Sequence, residues 1–289
     1  ICAKLIVVKT IEAFYNLYLH PLRKYPGPLL ARATGLWYIY HLCNGSLTQA
    51  TSDAHTKYGK IIRVGPRDLD YTDPRAWSDI YGHLGASENA KDSRELIFES
   101  DEVDIVGAPR MKHSALRRLL AHGFSDKALR DQQPVIQLYV DQLIQKFRAH
   151  ASEGKAVNVT DWYSFVLFDI TGHLVYGESF DCCQSERNHP WVQMLKDYVV
   201  AAAFIFAVQR IGFATSSFWQ MVPAKYRKSR PKHHELVHLK LLRRLETKPE
   251  YSDLSQNMIN AYEAGQLSLE DLTVNARVLV IAGACMEKL

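Results

Sequence analysis

The chain has 289 residues, 47% of them hydrophobic, 23% charged and 11% aromatic, with 15 Gly and 11 Pro. Those proportions exclude intrinsic disorder, collagen-like repetition and low complexity, and the length suffices for a sizeable core in one large domain or two small ones. Lys and Arg total 35 against 31 Asp and Glu, a formal charge of +4 that is too mild to argue for nucleic acid.

Ile1 to Leu19 is apolar but interrupted by Lys4, Lys9, Glu12 and Asn16. A spanning helix needs about 20 largely uncharged residues, so this stretch alone does not qualify. Two readings stay open: the water-side end of an anchor lying upstream of Ile1, or an amphipathic helix packed on the protein. Tyr25-Pro26-Gly27-Pro28 then makes a stiff, non-helical corner. Leu47 to Tyr58 reads as a helix stopped by Gly59. Over 60–71 the period changes. Ile61, Ile62 and Val64, the Gly65-Pro66 turn, then Leu69 and Tyr71 predict a short hairpin.

Pro74 to Tyr81 fits a helix with Asp73 as its cap, whereas 87–109 has no period and is expected to be a partly ordered loop. The rest is mostly helical. Helices are expected over 111–122, 134–150 and 161–177, the last nearly all apolar and therefore buried. Residues 191–208 contain an apolar stretch from Tyr198 to Val208, too short to span a bilayer and better suited to a core or interfacial helix. Further helices follow over 254–264 and from Leu269 to about Ala282, the second opened by a Ser268…Asp271 capping pattern. The class is mainly α with a small β element.

Five cysteines, Cys2, Cys43, Cys182, Cys183 and Cys285, form no C-x-x-C pair, which favours unpaired thiols in a reducing compartment. His234-Glu235-Leu236-Val237-His238 fits H-E-x-x-H, in which two histidines one turn apart share a zinc ion and the glutamate acts as base. No third ligand stands at a suitable spacing, and the flanking Lys232, His233 and Lys240 would oppose a dication, so a solvated helix face is the preferred reading. The basic run from Lys225 to Arg244 lacks an aromatic ladder. Contact with a membrane surface suits it better than nucleic acid, and an exposed helix is its default. His113 and Arg117, one turn apart, present two donors to a carboxylate pair or phosphate. By residue type alone an ordinary basic helix is the simpler account.

Several segments together resemble the N-terminal part of a fungal cytochrome P450, the haem-thiolate monooxygenase family. They are Asn16-Leu-Tyr-Leu-His-Pro-Leu22, Tyr25-Pro-Gly-Pro28, Tyr58-Gly-Lys-Ile-Ile-Arg-Val-Gly-Pro66, His113-Ser-Ala-Leu-Arg-Arg118, Phe124-Ser-Asp-Lys-Ala-Leu129, Phe168-Asp-Ile-Thr-Gly172 with Tyr176-Gly177 and Phe180, and Asn275-Ala-Arg-Val-Leu-Val-Ile-Ala-Gly283. They run in the family's order across residues 16–283. The resemblance implies a membrane-proximal segment over 1–24 and a partial P450 domain over 25–289 that ends within the long helix crossing the distal face of the haem. It implies that His113 and Arg117 bind the haem propionates and that 191–230 covers the substrate channel. It also implies an apolar small-molecule substrate, oxygen insertion from O₂, a membrane-bound reductase, a place at the endoplasmic reticulum membrane facing the cytosol, and a role in secondary metabolism.

The departures lie after Gly283, where Ala284, Cys285, Met286 and Glu287 replace the family's acid or amide and threonine. The Glu-x-x-Arg helix and the cysteine loop that supplies the axial thiolate would lie beyond Leu289, and none of the five cysteines has that loop's context. No catalytic residue and no metal ligand is therefore assigned. As a truncated piece the chain is expected to be inactive, with Val278 to Ile281 lacking packing partners, an unpaired hairpin edge and poor solubility. The rival is a non-catalytic helical interaction or membrane-associated protein. A zinc metalloprotease through His234, Glu235 and His238 ranks third.

Overall fold

The computed structural model describes residues 2–82, 89–92, 104–211, 224–247 and 253–285. They fall into two compact units, Ile1–Ile97 with Val200–Pro223, and Phe98–Val199 with Ala224–Leu289.

In the first unit, helices α1 (Cys2–Tyr18), α2 (Leu29–Ala33), α3 (Leu36–Cys43) and α4 (Leu47–Tyr58) precede strands β1 (Ile61–Gly65) and β2 (Asp68–Tyr71), and α5 (Arg75–Tyr81) follows. The strands form an antiparallel pair with Ile61 opposite Tyr71 and Arg63 opposite Leu69. Gly59 ends α4 at φ +100°, a conformation open to glycine. One face of β1 is apolar: Ile62 and Val64 pack with Ala54, Trp37 and Tyr58.

Arg63, fully buried, ties this unit together. Its guanidinium donates to Asn16 O at 2.8 Å and to Pro66 O, and its backbone N–H donates to Pro26 O at 2.7 Å. The proline corner therefore lies directly on β1. A Cβ at Gly27 would stand 2.4 Å from Arg63 O, so the corner needs glycine for close approach rather than for a special torsion. Toward the C-terminal end of this unit's chain, Arg210 pairs with Asp68 at 2.7 Å and lies 3.6 Å over the Tyr38 ring.

Helix α1 is largely exposed, with Ile6, Ile11 and Phe14 at 66, 63 and 58%. Among the described residues no helix is long and apolar enough to cross a membrane.

The second unit contains α6 (Arg110–Ala121), α7 (Asp126–Ser152), α8 (Val159–Tyr176), α9 (Cys182–Ser185), α11 (Ala224–Glu246), α12 (Gln256–Glu263) and α13 (Leu269–Cys285), with residues 190–199 of α10 (Pro190–Ile211). Helix α8 is the buried centre, packed by α7 on one side and α13 on another. Phe168, Val175, Tyr176, Trp191, Leu195, Leu241, Leu272 and Val280 are among the most deeply buried residues of the core. Asp169 lies among them, 1% exposed. Its carboxylate accepts the backbone N–H groups of Phe180, Cys182 and Cys183 at 3.1, 3.0 and 2.8 Å, which satisfies the tight turn after α8.

Two expectations are corrected. Helix α7 does not begin at Pro134 but at Asp126, capped by the Ser125 hydroxyl, with Pro134 inside it. The cap and the buried Ala128, Gln132 and Val135 carry the helix through the proline, which costs one backbone hydrogen bond. Residues Val278 to Ile281 do have packing partners: Val280 is fully buried, and Leu279 and Ile281 pack partly buried on the same core, because α8 and α11 both cover α13. Of the loop expected over 87–109, residues 93–103 and 87–88 lie outside the described residues, as do 212–223 of the segment 191–230 and 286–289 at the end.

Candidate functional site

Helix α6 has the sequence RMKHSALRRLLA, five basic groups in 12 residues. Only Leu116 and Leu120 are buried, one turn apart on the side facing the core. The remaining surface presents Arg110, Met111, Arg117 and Arg118 as exposed side chains, with His113 half-buried. His113 and Arg117 thus share a helix at one-turn spacing, the guanidinium reachable from outside and the imidazole partly sheltered.

The N-terminal turn of α6 is held by polar contacts. Lys112 Nζ lies 2.6 Å from Asp271 Oδ1 on α13. Partial burial pushes the Asp271 carboxyl up, but hydrogen bonds from Lys112 and Ser268 outweigh it and hold the group below its ordinary value. Ser268 caps α13, its hydroxyl accepting from Asp271 N–H at 2.9 Å while Asp271 Oδ2 accepts from the Ser268 backbone at 3.4 Å and hydroxyl at 2.9 Å.

Ahead of α6, Asp104 Oδ1 accepts from Val106 N–H at 3.0 Å and Gly107 N–H at 2.9 Å, folding 104–108 into a turn. Ile105 N–H donates to Asn275 Oδ1 at 2.9 Å, and Arg277 Nη2 stands 3.6 Å from Asp104 Oδ2. Asp104, Asn275 and Arg277 are all buried. Toward its C-terminal end α13 exposes Ala282, while Gly283 sits against α8: a Cβ there would come within 2.4 Å of Thr171 Oγ1.

The remaining motifs are used structurally. On α11, His234 Nε2 is 3.6 Å from Glu270 Oε1 and His238 Nδ1 is 3.5 Å from Thr273 Oγ1, while Glu235 is exposed. Among the described residues no group of three or more His, Cys, Asp or Glu is placed to hold a metal ion. The basic run is not a uniformly exposed face, since Arg244 is buried and bonds Asp253 at 2.8 Å and Gln256 Oε1 at 2.9 Å. His233, expected among the positive flank of that motif, is instead fully enclosed and accepts from the Trp191 indole N–H at Nδ1. Burial first, then the positive charge of Arg277 and His234, lowers its pKa to about 3, so it is a neutral core histidine.

The geometry defines a mainly α protein in which a short, strongly basic helix is fastened to the start of a long buried helix. The Cytochrome P450 family model matches residues 25–287. The chain is 36% identical over 275 residues to the cytochrome P450 monooxygenase cpaH of Aspergillus oryzae, covering 95% of this chain and 54% of that protein. It is 35% identical over 282 residues to the cytochrome P450 monooxygenase aclL of Aspergillus oryzae, covering 96% and 57%. To the trichothecene C-15 hydroxylase of Fusarium sporotrichioides it is 33% identical over 277 residues, covering 95% and 56%. The chain belongs to the cytochrome P450 family, whose cofactor is haem. It spans about half the length of the curated relatives it matches.

The residues of α6 fit the carboxylate edge of that cofactor: an exposed guanidinium and a half-buried imidazole can both donate charge-assisted hydrogen bonds. The two cysteines in the core do not fit its iron. Burial, led by desolvation, pushes the Cys182 thiol up to about 12 and raises Cys183 as well, so both stay protonated at neutral pH and lie enclosed in the Asp169 turn.

Proposed function

We propose that this chain supplies the propionate-binding helix and the distal helix of a haem-dependent monooxygenase that oxidises an apolar small molecule in fungal secondary metabolism. The observation that carries this reading is the pairing of His113 and Arg117 on the exposed side of α6, in a chain that belongs to the cytochrome P450 family. The relatives support oxygen insertion, since one of them is named a hydroxylase.

Bound haem supplies the activation of O₂, with electrons from a membrane-bound reductase. The chain's own residues bind and orient. Arg117 donates to one propionate from an exposed position, where its fixed charge needs no proton uptake. His113 donates from a more sheltered position. Each charge-assisted bond contributes about 1.5–3 kcal/mol. Helix α13 would line the cofactor site, where the exposed Ala282, ending at Cβ, would leave room for a flat ring and a small substrate. Helix α1 rests on the cytosolic side of the endoplasmic reticulum membrane.

The test is binding of haemin and of haemin dimethyl ester, which lacks the two carboxylates, to the 289-residue chain. The expected result is a preference for haemin that falls about tenfold or more in Arg117→Ala. Equal uptake of the two porphyrins, or uptake of neither, would favour a non-catalytic helical protein instead.

A further inference from the structure

We propose that Asp104, Lys112, Asp271, Asn275 and Arg277 form a polar clasp that positions α6, and with it His113 and Arg117, for cofactor binding. This rests on the reading that those two residues hold the propionates.

Apolar packing fixes only half of α6. Its two buried residues, Leu116 and Leu120, lie in the C-terminal half, against α12 and the turn at 122–124. No side chain from Arg110 to Ala115 is buried. A helix pinned at one end can swing about that end, and the first turn, with His113 on it, would move furthest. Three of the polar contacts on this stretch oppose such a swing. Lys112, the residue before His113, reaches Asp271 at 2.6 Å. The 104–108 turn that leads into α6 is anchored by Asn275 Oδ1 on the Ile105 N–H at 2.9 Å. Asp104, which shapes that turn, faces Arg277 at 3.6 Å.

All three reach α13 within two turns, from Asp271 to Arg277. The start of the distal helix thereby fixes the start of the basic helix.

Stability does not account for the Asp104–Arg277 pair. A buried Arg–Asp pair at 3.6 Å gains little over apolar residues of the same volume, because both ions lose their water. What polar contacts with defined donors and acceptors add is direction. Binding groups must be held within about 0.5 Å of their working geometry, which a swinging helix cannot provide. These five are positioning residues, acting through His113 and Arg117 rather than touching the cofactor.

The experiment compares haemin with haemin dimethyl ester on the full 289-residue chain, by absorbance and tryptophan quenching, alongside apo-protein melting. Lys112→Ala and Asn275→Ala are expected to lower the haemin preference several-fold. Lys112→Arg, which keeps the pair with Asp271, should retain it. Lys112 is partly exposed, so Lys112→Ala should melt close to wild type and remain interpretable where Asn275→Ala does not fold. The clasp is overturned if Lys112→Ala keeps the wild-type preference while Arg117→Ala loses it. If Arg117→Ala also keeps it, or wild type shows none, the reading beneath fails instead.

Discussion

His233 illustrates how a single buried side chain makes stability depend on pH. It accepts from Trp191 in a closed core, and burial lowers its pKa to about 3 against an ordinary 6.5. The unfolded chain therefore binds a proton below pH 6.5 that the native chain refuses down to about pH 3. Stability from this residue is complete above 6.5 and falls as pH drops, by up to about 1.4 kcal/mol per pH unit. His233→Gln keeps an acceptor for Trp191 and removes the titration. Between pH 7 and pH 5, urea unfolding of wild type is expected to lose about 2 kcal/mol more than the variant. Parallel pH curves would contradict this. Nothing in the sequence singles out His233 from His234 or His238. The difference is which face of α11 turns inward, and α11 is basic enough that its pattern does not announce that face.

Among the elements, boundaries with chemical punctuation were legible. The Gly59 stop and the Ser268 cap both stand where the residues put them. So does the apolar α8, whose composition leaves no solvated face. The proline in α7 misled, because its local cost was read as a boundary when buried neighbours overrule it. That cost is testable. Pro134 is exposed and denies the helix one hydrogen bond, so Pro134→Ala is expected to stabilise the chain by up to about 3 kcal/mol in thermal or denaturant melts. A lower melting temperature would mean that the proline's bend is needed by the packing of α7 on α8.

For the molecule as a whole, the exposed apolar side chains concentrate on α1, where Ile6, Ile11 and Phe14 share a helix with Lys4 and Lys9. Exposed apolar side chains beside basic ones suit contact with a membrane surface, which we propose for α1. Phe14→Asp is expected to cut co-sedimentation with phosphatidylcholine–phosphatidylserine vesicles severalfold while leaving the melt unchanged, since Phe14 is largely out of the core. Undiminished binding would remove α1 from the membrane contact. The family, the order of elements and the hairpin were readable from the chain, because local periodicity, turn residues and motif order need no partner to be recognised. Other features depended on residues far apart in sequence. Tertiary structure alone decided that Arg63 holds the proline corner, that Val280 is enclosed, that H-E-x-x-H faces Glu270 and Thr273, and that Asn275 and Arg277 grip the turn before α6. A buried polar residue has no signature of its own in sequence. Its role is set by which donor or acceptor meets it once the helices have packed.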